Sequence, residues 1–189
     1  MPVQLGGKGQ PGFDEPIDLM MDCHRWIEHF LSVLQRVAEQ SDGCQLDEPS
    51  GRGVQAALRY FREAAPNHTA DEEHSLFPRL REIDSEFIGA LLDEADRLEA
   101  QHRDAEQLHG RVELAFDRWL TCEIISSDAL HALRQDLRAL GELYQEHIRY
   151  EDEVLFPVSQ RLLDQEDKRD IGREMERRRR PRAPAGETH

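Results

Sequence analysis

The chain has 189 residues and a formal net charge of −15. That length suits one domain with tails, and the charge speaks against nucleic acid or an anionic membrane as a partner of the main body. Apolar residues are 38% and charged residues 33% of the chain, a balance that suits amphipathic helices with solvated outer faces.

The opening stretch MPVQLGGKGQPG lacks the apolar segment of a secretion signal. No apolar run approaches the roughly 20 residues of a membrane span. Cys23, Cys44 and Cys122 are odd in number, widely spaced and without a CxxC, which reads as free thiols in a reducing compartment. The expectation is a soluble, cytoplasmic protein.

Residues 1–13 read as a flexible lead, with Asp14 as cap and Pro16 in the first turn of a first helix. Its inward seam is Ile17, Met20, His24, Ile27, Leu31 and Leu34, stepping alternately by three and four. The turn-rich segment 41–53 ends it. A second helix is expected from Gly53 or Val54, with seam Val54, Leu58, Phe61, Ala65, His68 and Glu72. Pro66 predicts a kink or restart within it, and Pro78 lies near its end.

A third helix is expected from about Ser85 to Leu120, with Leu91, Leu98, His102, Ala105, His109, Phe116 and Trp119 on its seam. A fourth starts near Asp128, capped by Ser127, with seam Leu133, Leu137, Leu140, Tyr144, His147, Glu151, Val154, Val158 and Leu162. No strand pattern appears. Residues 14–165 therefore read as an all-α domain, an antiparallel up-down-up-down four-helix bundle. From 166 the apolar pattern collapses. Residues 168–182 hold eight basic and three acidic side chains, so 166–189 reads as a charged, Arg-rich, disordered tail, or as a contact for an acidic partner.

The histidines carry the functional signal. His24, His68, His102 and His147 fall on the inward seams, one per helix. His68 and Glu72, and His147 and Glu151, stand four apart, which places each pair on one helix face. Both pairs lie in a repeated pattern, His-x-x-x-Glu-x-x-x-x-Phe-Pro, ending at Phe77-Pro78 and Phe156-Pro157. Imidazole and carboxylate together suit iron, manganese or zinc. An ionised carboxylate in a core without a partner costs several kcal/mol or more, so a cation is expected with it. His24-Arg25-x-x-Glu28 and His102-Arg103-x-x-Glu106 also match. The chain thus reads as two copies of a helix pair enclosing a dinuclear centre bridged by two carboxylates.

From Asp14 to Leu163 the sequence resembles the hemerythrin-like (HHE cation-binding) domains. The resemblance rests on His24, His68 with Glu72, His102, and His147 with Glu151, and on the two Phe-Pro pairs. It implies an up-down-up-down bundle around two non-haem iron ions, oxo- or hydroxo-bridged. The four histidines would be iron ligands, and Glu72 and Glu151 the bridges. Oxygen-carrying members have a second histidine where this chain has Glu106. That departure points to reactive or sensing chemistry, with Glu106 and Glu28 as further candidate ligands. The oxygen carriers also place the fourth-helix carboxylate where this chain has Asp152, but the seam favours Glu151.

Other residues are read as follows. His29, His74 and His109 are not ligands, with His109 packed nearer the bundle end. His131 and His189 are surface residues. Tyr144 is core packing, or a hydroxyl beside a bound oxygen species. Cys23, Phe77 and Phe156 are packing residues.

The leading expectation is a di-iron protein that binds or reacts with O2, peroxide or nitric oxide, with peroxidase- or catalase-like turnover as one form. Iron storage, donation or sensing without turnover is the second, and a regulatory or scaffold bundle the third. The sequence leaves the oligomeric state open, with a homodimer as one arrangement. A hydrolase is not expected, because Ser75 and Ser159 lack a nucleophile context. Nor is a ferritin-type site, which needs Glu-x-x-His on two helices.

Overall fold

The structure is a computed structural model that describes residues 11–83 and 89–180. Among these residues every regular element is helical. The first is α1 (Pro16–Gln40), followed by α2 (Glu48–Glu63) and α3 (Ala65–Asp71). A π-helical segment (Glu72–Leu76) leads into α4 (Phe77–Glu82). Then come α5 (Gly89–Cys122) and α6 (Ser127–Tyr150), a second π segment (Glu151–Leu155), α7 (Phe156–Leu162) and α8 (Gln165–Arg179).

Several helix starts differ from expectation. Glu15, not Asp14, occupies the cap position of α1, and its side chain makes no capping bond. α2 begins at Glu48, within the segment read as a turn. Asp47 caps it by accepting the Ser50 N–H at 2.9 Å. An acidic cap and a proline in the first turn are helix-start signals that Gly51 and Gly53 obscured. Ser126, one residue before the expected cap, accepts from the Ala129 N–H and opens α6. As Pro66 predicts, the chain restarts between α2 and α3 at Ala64. The expected start of the third helix at Ser85 lies outside the described residues.

α1 packs against α2 and α6, and α5 packs against α6, α2 and α4. Two apolar clusters result. One joins Leu31, Leu34, Leu58, Phe116, Trp119 and Leu137. The other joins Ile17, Met20, Leu76, Phe77, Leu98, Phe156, Ile171 and Met175. The inward histidines lie along the helices between these two clusters.

Both π segments have the same cause. A proline has no N–H, and its ring crowds the carbonyl four residues back. For Pro78 that residue is His74, and for Pro157 it is Glu153, the middle of each π segment. The backbone widens there, so the Phe77 N–H donates to the Glu72 carbonyl and the Phe156 N–H to the Glu151 carbonyl, five residues back. The extra residue moves the later side chains around the helix. Leu155 is therefore buried, whereas Val154 is 39% and Leu162 41% exposed. The expected seam at Val154 and Leu162 is thus displaced by one residue.

The expected disordered tail is corrected over Gln165–Arg179, which forms α8. Asp164 caps it through the N–H groups of Glu166 and Asp167 at 2.7 and 2.9 Å. Ile171 and Met175, four apart, are fully buried in the core. Gly172 sits so close to Phe13 that an added Cβ would lie 1.8 Å from its carbonyl oxygen. The arginines have a specific role. Arg178 and Arg179 donate to the two oxygens of buried Asp71 at 2.7 and 2.6 Å, and Arg178 also reaches Ser75 Oγ at 2.7 Å. Arg79 returns the contact by donating to Glu174 at 3.0 and 3.1 Å. Charge composition hid this helix, because two of its arginines, Arg178 and Arg179, are paired to the domain rather than solvated.

Met175→Ala should lower the unfolding free energy by about 2–5 kcal/mol, as for other large-to-small core changes. Urea unfolding measures this; an unchanged midpoint would return α8 to the status of an appended tail.

Candidate metal centre

Six side chains converge between the two apolar clusters. His24, His68, Glu72 and Glu151 form one group and Glu72, His102, His147 and Glu151 another. Within each group the ligand atoms all lie within 4.8 Å of one another. The two carboxylates are common to both groups. α1, α3, α5 and α6 each bring one histidine, and each glutamate opens a π segment.

The distances describe a ring of donors. His24 Nε2 is 3.0 Å from Glu151 Oε2, and His147 Nε2 is 3.2 Å from Glu151 Oε1. His68 Nε2 is 3.2 Å from Glu72 Oε1, and His102 Nε2 is 3.3 Å from Glu72 Oε2. His102 Nε2 and His147 Nε2 are 3.1 Å apart.

The outer ring nitrogens are held from behind. His24 Nδ1 faces Asp152 Oδ1 at 2.8 Å, and His102 Nδ1 faces Glu73 Oε1 at 2.8 Å. His147 Nδ1 faces Gln101 Oε1 at 3.0 Å. An Nδ1–H donated to such an oxygen leaves the Nε2 lone pair pointing inward, the usual posture of a metal-binding imidazole. Sequence reading missed Glu73 and Gln101 and weighed Asp152 only as a bridge. The available signal was an acidic residue directly after each seam glutamate. On an α-helix that neighbour lies about 100° around the axis, which aims it at the next helix's histidine.

Glu28 and Glu106 are corrected. Both are exposed, and neither belongs to the converging groups. They lie off the buried stripe that carries His24 and His102. The converging side chains therefore do not include Glu106 as a further ligand. His29 and His74 are exposed as well. Asp71, adjacent to Glu72, faces α8 instead of the centre.

The electrostatics favour a cation. Among the described residues, seven buried side-chain atoms have no hydrogen-bond partner: His24 Nε2, both His68 nitrogens, and both oxygens of Glu72 and of Glu151. Each such group costs on the order of 1–3 kcal/mol, and charged ones more. Burial, then the charge of Glu151, pushes the Glu72 carboxyl up to about 7. Burial would raise Glu151 too, but His147 and His24 outweigh it and hold that carboxyl low. Burial alone would lower His24. Asp152 and Glu151 reverse this and push it up to about 10. Burial and the neighbouring imidazoles drive His68 well below its ordinary value. The opposed shifts show how strongly these close-set charges interact, and unpartnered imidazole nitrogens facing unpartnered carboxylates are the donor set of a cation site. The residues present therefore fit bound metal.

Fold and site together define a helical protein with a His/carboxylate cluster that could hold metal cations. Residues 15–159 match the hemerythrin HHE cation-binding domain, and the chain belongs to that family. A protein of Haemophilus influenzae, described only as an uncharacterized protein, is 26% identical to this chain over 172 residues. That similarity covers 88% of this chain and 91% of the relative. Among the described residues, no helix is long and apolar enough to cross a membrane.

His109 lies two turns beyond His102, and its Nε2 is 2.9 Å from the Tyr144 hydroxyl. Burial lowers it to about 4, against about 6.5 for a free histidine. As pH falls, the unfolded chain takes up this proton before the folded chain does. Stability carried by neutral His109 is therefore lost between about pH 6.5 and 4, by up to about 3 kcal/mol. Urea midpoints across that window should fall less steeply in His109→Gln than in the wild type. Parallel slopes would show that His109 is not the group responsible.

Proposed function

We propose that this chain is a non-haem di-iron protein that binds or reacts with O2, peroxide or nitric oxide, within an antiparallel up-down-up-down four-helix bundle extended by α8. The observation that carries this reading is the set of seven unpartnered buried nitrogen and oxygen atoms gathered at one level of the core. His24 and His68 would hold one ion and His102 and His147 the other, with Glu72 and Glu151 shared between them. That assignment supplies two imidazoles and two shared carboxylates to each ion, a set suited to iron.

Bound iron would supply one-electron redox chemistry and free coordination positions for a small ligand. The chain's own residues prepare the site. Asp152, Glu73 and Gln101 hold the outer nitrogens of three imidazoles and thereby fix their orientation. Phe156 stacks on His24 with ring centroids 5.4 Å apart, which limits rotation of that ring. Leu98 and Leu140 are fully buried and restrict water. The departure from oxygen carriers now rests on the missing histidine at position 106, not on ligation by Glu106. With one imidazole fewer, more positions stay open to reactants, which favours reaction or sensing over carriage.

Metal analysis of protein purified without added metal, followed by aerobic reconstitution with ferrous iron, tests this reading. About two irons per chain and a near-ultraviolet band from a bridged ferric pair are expected. One iron or fewer with no band would sink it. His68→Ala should lower the iron content towards about one and abolish the band. Glu151→Ala, which removes a shared ligand, should reduce both ions together.

A further inference from the structure

Beside the four imidazoles lies a cavity of about 350 Å3. Its walls are largely apolar, with Ile27, Phe61, Ala65, Pro66, Ala105 and Ile148 among them. Glu72 and Glu151 do not line it, so it is not the space between the shared carboxylates. It extends from the imidazole layer along the helices. Ile27 and Ala105 stand three residues beyond His24 and His102, and His109 stands seven beyond His102. Exposed His74, Arg103 and Glu106 also line it and mark its side open to solvent.

Its size does not match a diatomic ligand. A water molecule takes about 30 Å3 of liquid, and a diatomic is of similar size. Cavities of roughly 300–1,000 Å3 hold small organic ligands. The chemistry is also specific. The wall carries one uncharged polar pair, Tyr144 and His109, joined at 2.9 Å. Burial keeps His109 neutral at ordinary pH, so its Nε2 and the Tyr144 hydroxyl share one hydrogen bond, with the direction set by the imidazole tautomer. In either tautomer the Tyr144 oxygen retains a lone pair for a donor in the cavity. A charged ligand would find no opposite charge at this pair.

We propose that the cavity binds a compact, uncharged organic molecule bearing a hydroxyl or hydroperoxyl group, with its carbon frame against Phe61, Ala105 and Ile148 and its oxygen function at Tyr144. The role of this ligand as a reactant, an organic hydroperoxide presented beside the imidazoles, rests on the di-iron reading. The binding itself does not.

The probe is 2-phenyl-2-propanol, an inert alcohol with the frame of an aryl hydroperoxide, titrated calorimetrically into the full-length protein as purified. Saturable binding of one molecule per chain is expected, with a Kd of about 0.1–1 mM for a ligand this small. Ala105→Phe, which fills the cavity, should weaken binding by about tenfold or more while the iron content stays unchanged. Tyr144→Phe should weaken the alcohol several-fold but leave isopropylbenzene, which lacks the hydroxyl, bound as before. Absence of saturable binding, or an Ala105→Phe protein that binds as tightly as wild type, overturns the proposal. Iron uptake without alcohol binding would defeat this inference alone; alcohol binding without iron uptake would defeat the di-iron reading alone.

Discussion

Two carboxylates without access to water govern this molecule. Glu72 and Glu151 are fully buried, and neither has a hydrogen-bond partner among the protein groups. Isolated buried carboxylates cost far more than a domain of this size can bear in net stability. Everything around them compensates. Four imidazoles turn their lone-pair nitrogens inward, and a second set of polar side chains anchors three of those rings from behind. The helices meet so that this polar layer is enclosed on both sides by apolar clusters.

The local backbone follows from the same need. A glutamate, then four residues, then a phenylalanine followed directly by a proline: this order sets the ligand at the first position of a widened turn. The proline causes the widening, and the phenylalanine directly before it plugs the core. The ligand side chain and the packing side chains are thereby placed at angles that a regular α-helix would not give together. Both halves of the chain use the device, although their surroundings differ. Asp71 precedes Glu72 and is clamped by Arg178 and Arg179, whereas half-buried Tyr150 precedes Glu151.

Much of this was legible in the residues before any coordinates. Seam periodicity placed His24, His68, Glu72, His102, His147 and Glu151 inward, and all six meet. The break at Pro66 was also readable. What escaped was whatever depends on contacts between distant segments or on small phase changes. Glu73 and Gln101 sit off their own helices' seams, and their purpose appears only once the neighbouring helix supplies a histidine. Val154 looked like a seam residue because a period of about 3.6 was carried through a turn that holds one residue more. Residues 168–182 looked unstructured because eight basic residues dominate them; in α8 two apolar anchors and the buried partner Asp71 outweigh that average. Glu28 and Glu106 looked equivalent to ligands by repeat spacing alone, which ignores which face of the helix is covered.

The layered core has a consequence for cooperativity. The two apolar clusters form separate packed units, and the six converging side chains lie between them. Such a layer couples its neighbours only as strongly as its own charges are balanced. A bound cation at this level would act as a rivet between two hydrophobic halves, so that they melt as one. With the charges unbalanced, the same layer becomes the plane along which the halves part. Whatever loads or empties the centre would then also set whether this chain unfolds in one step or two.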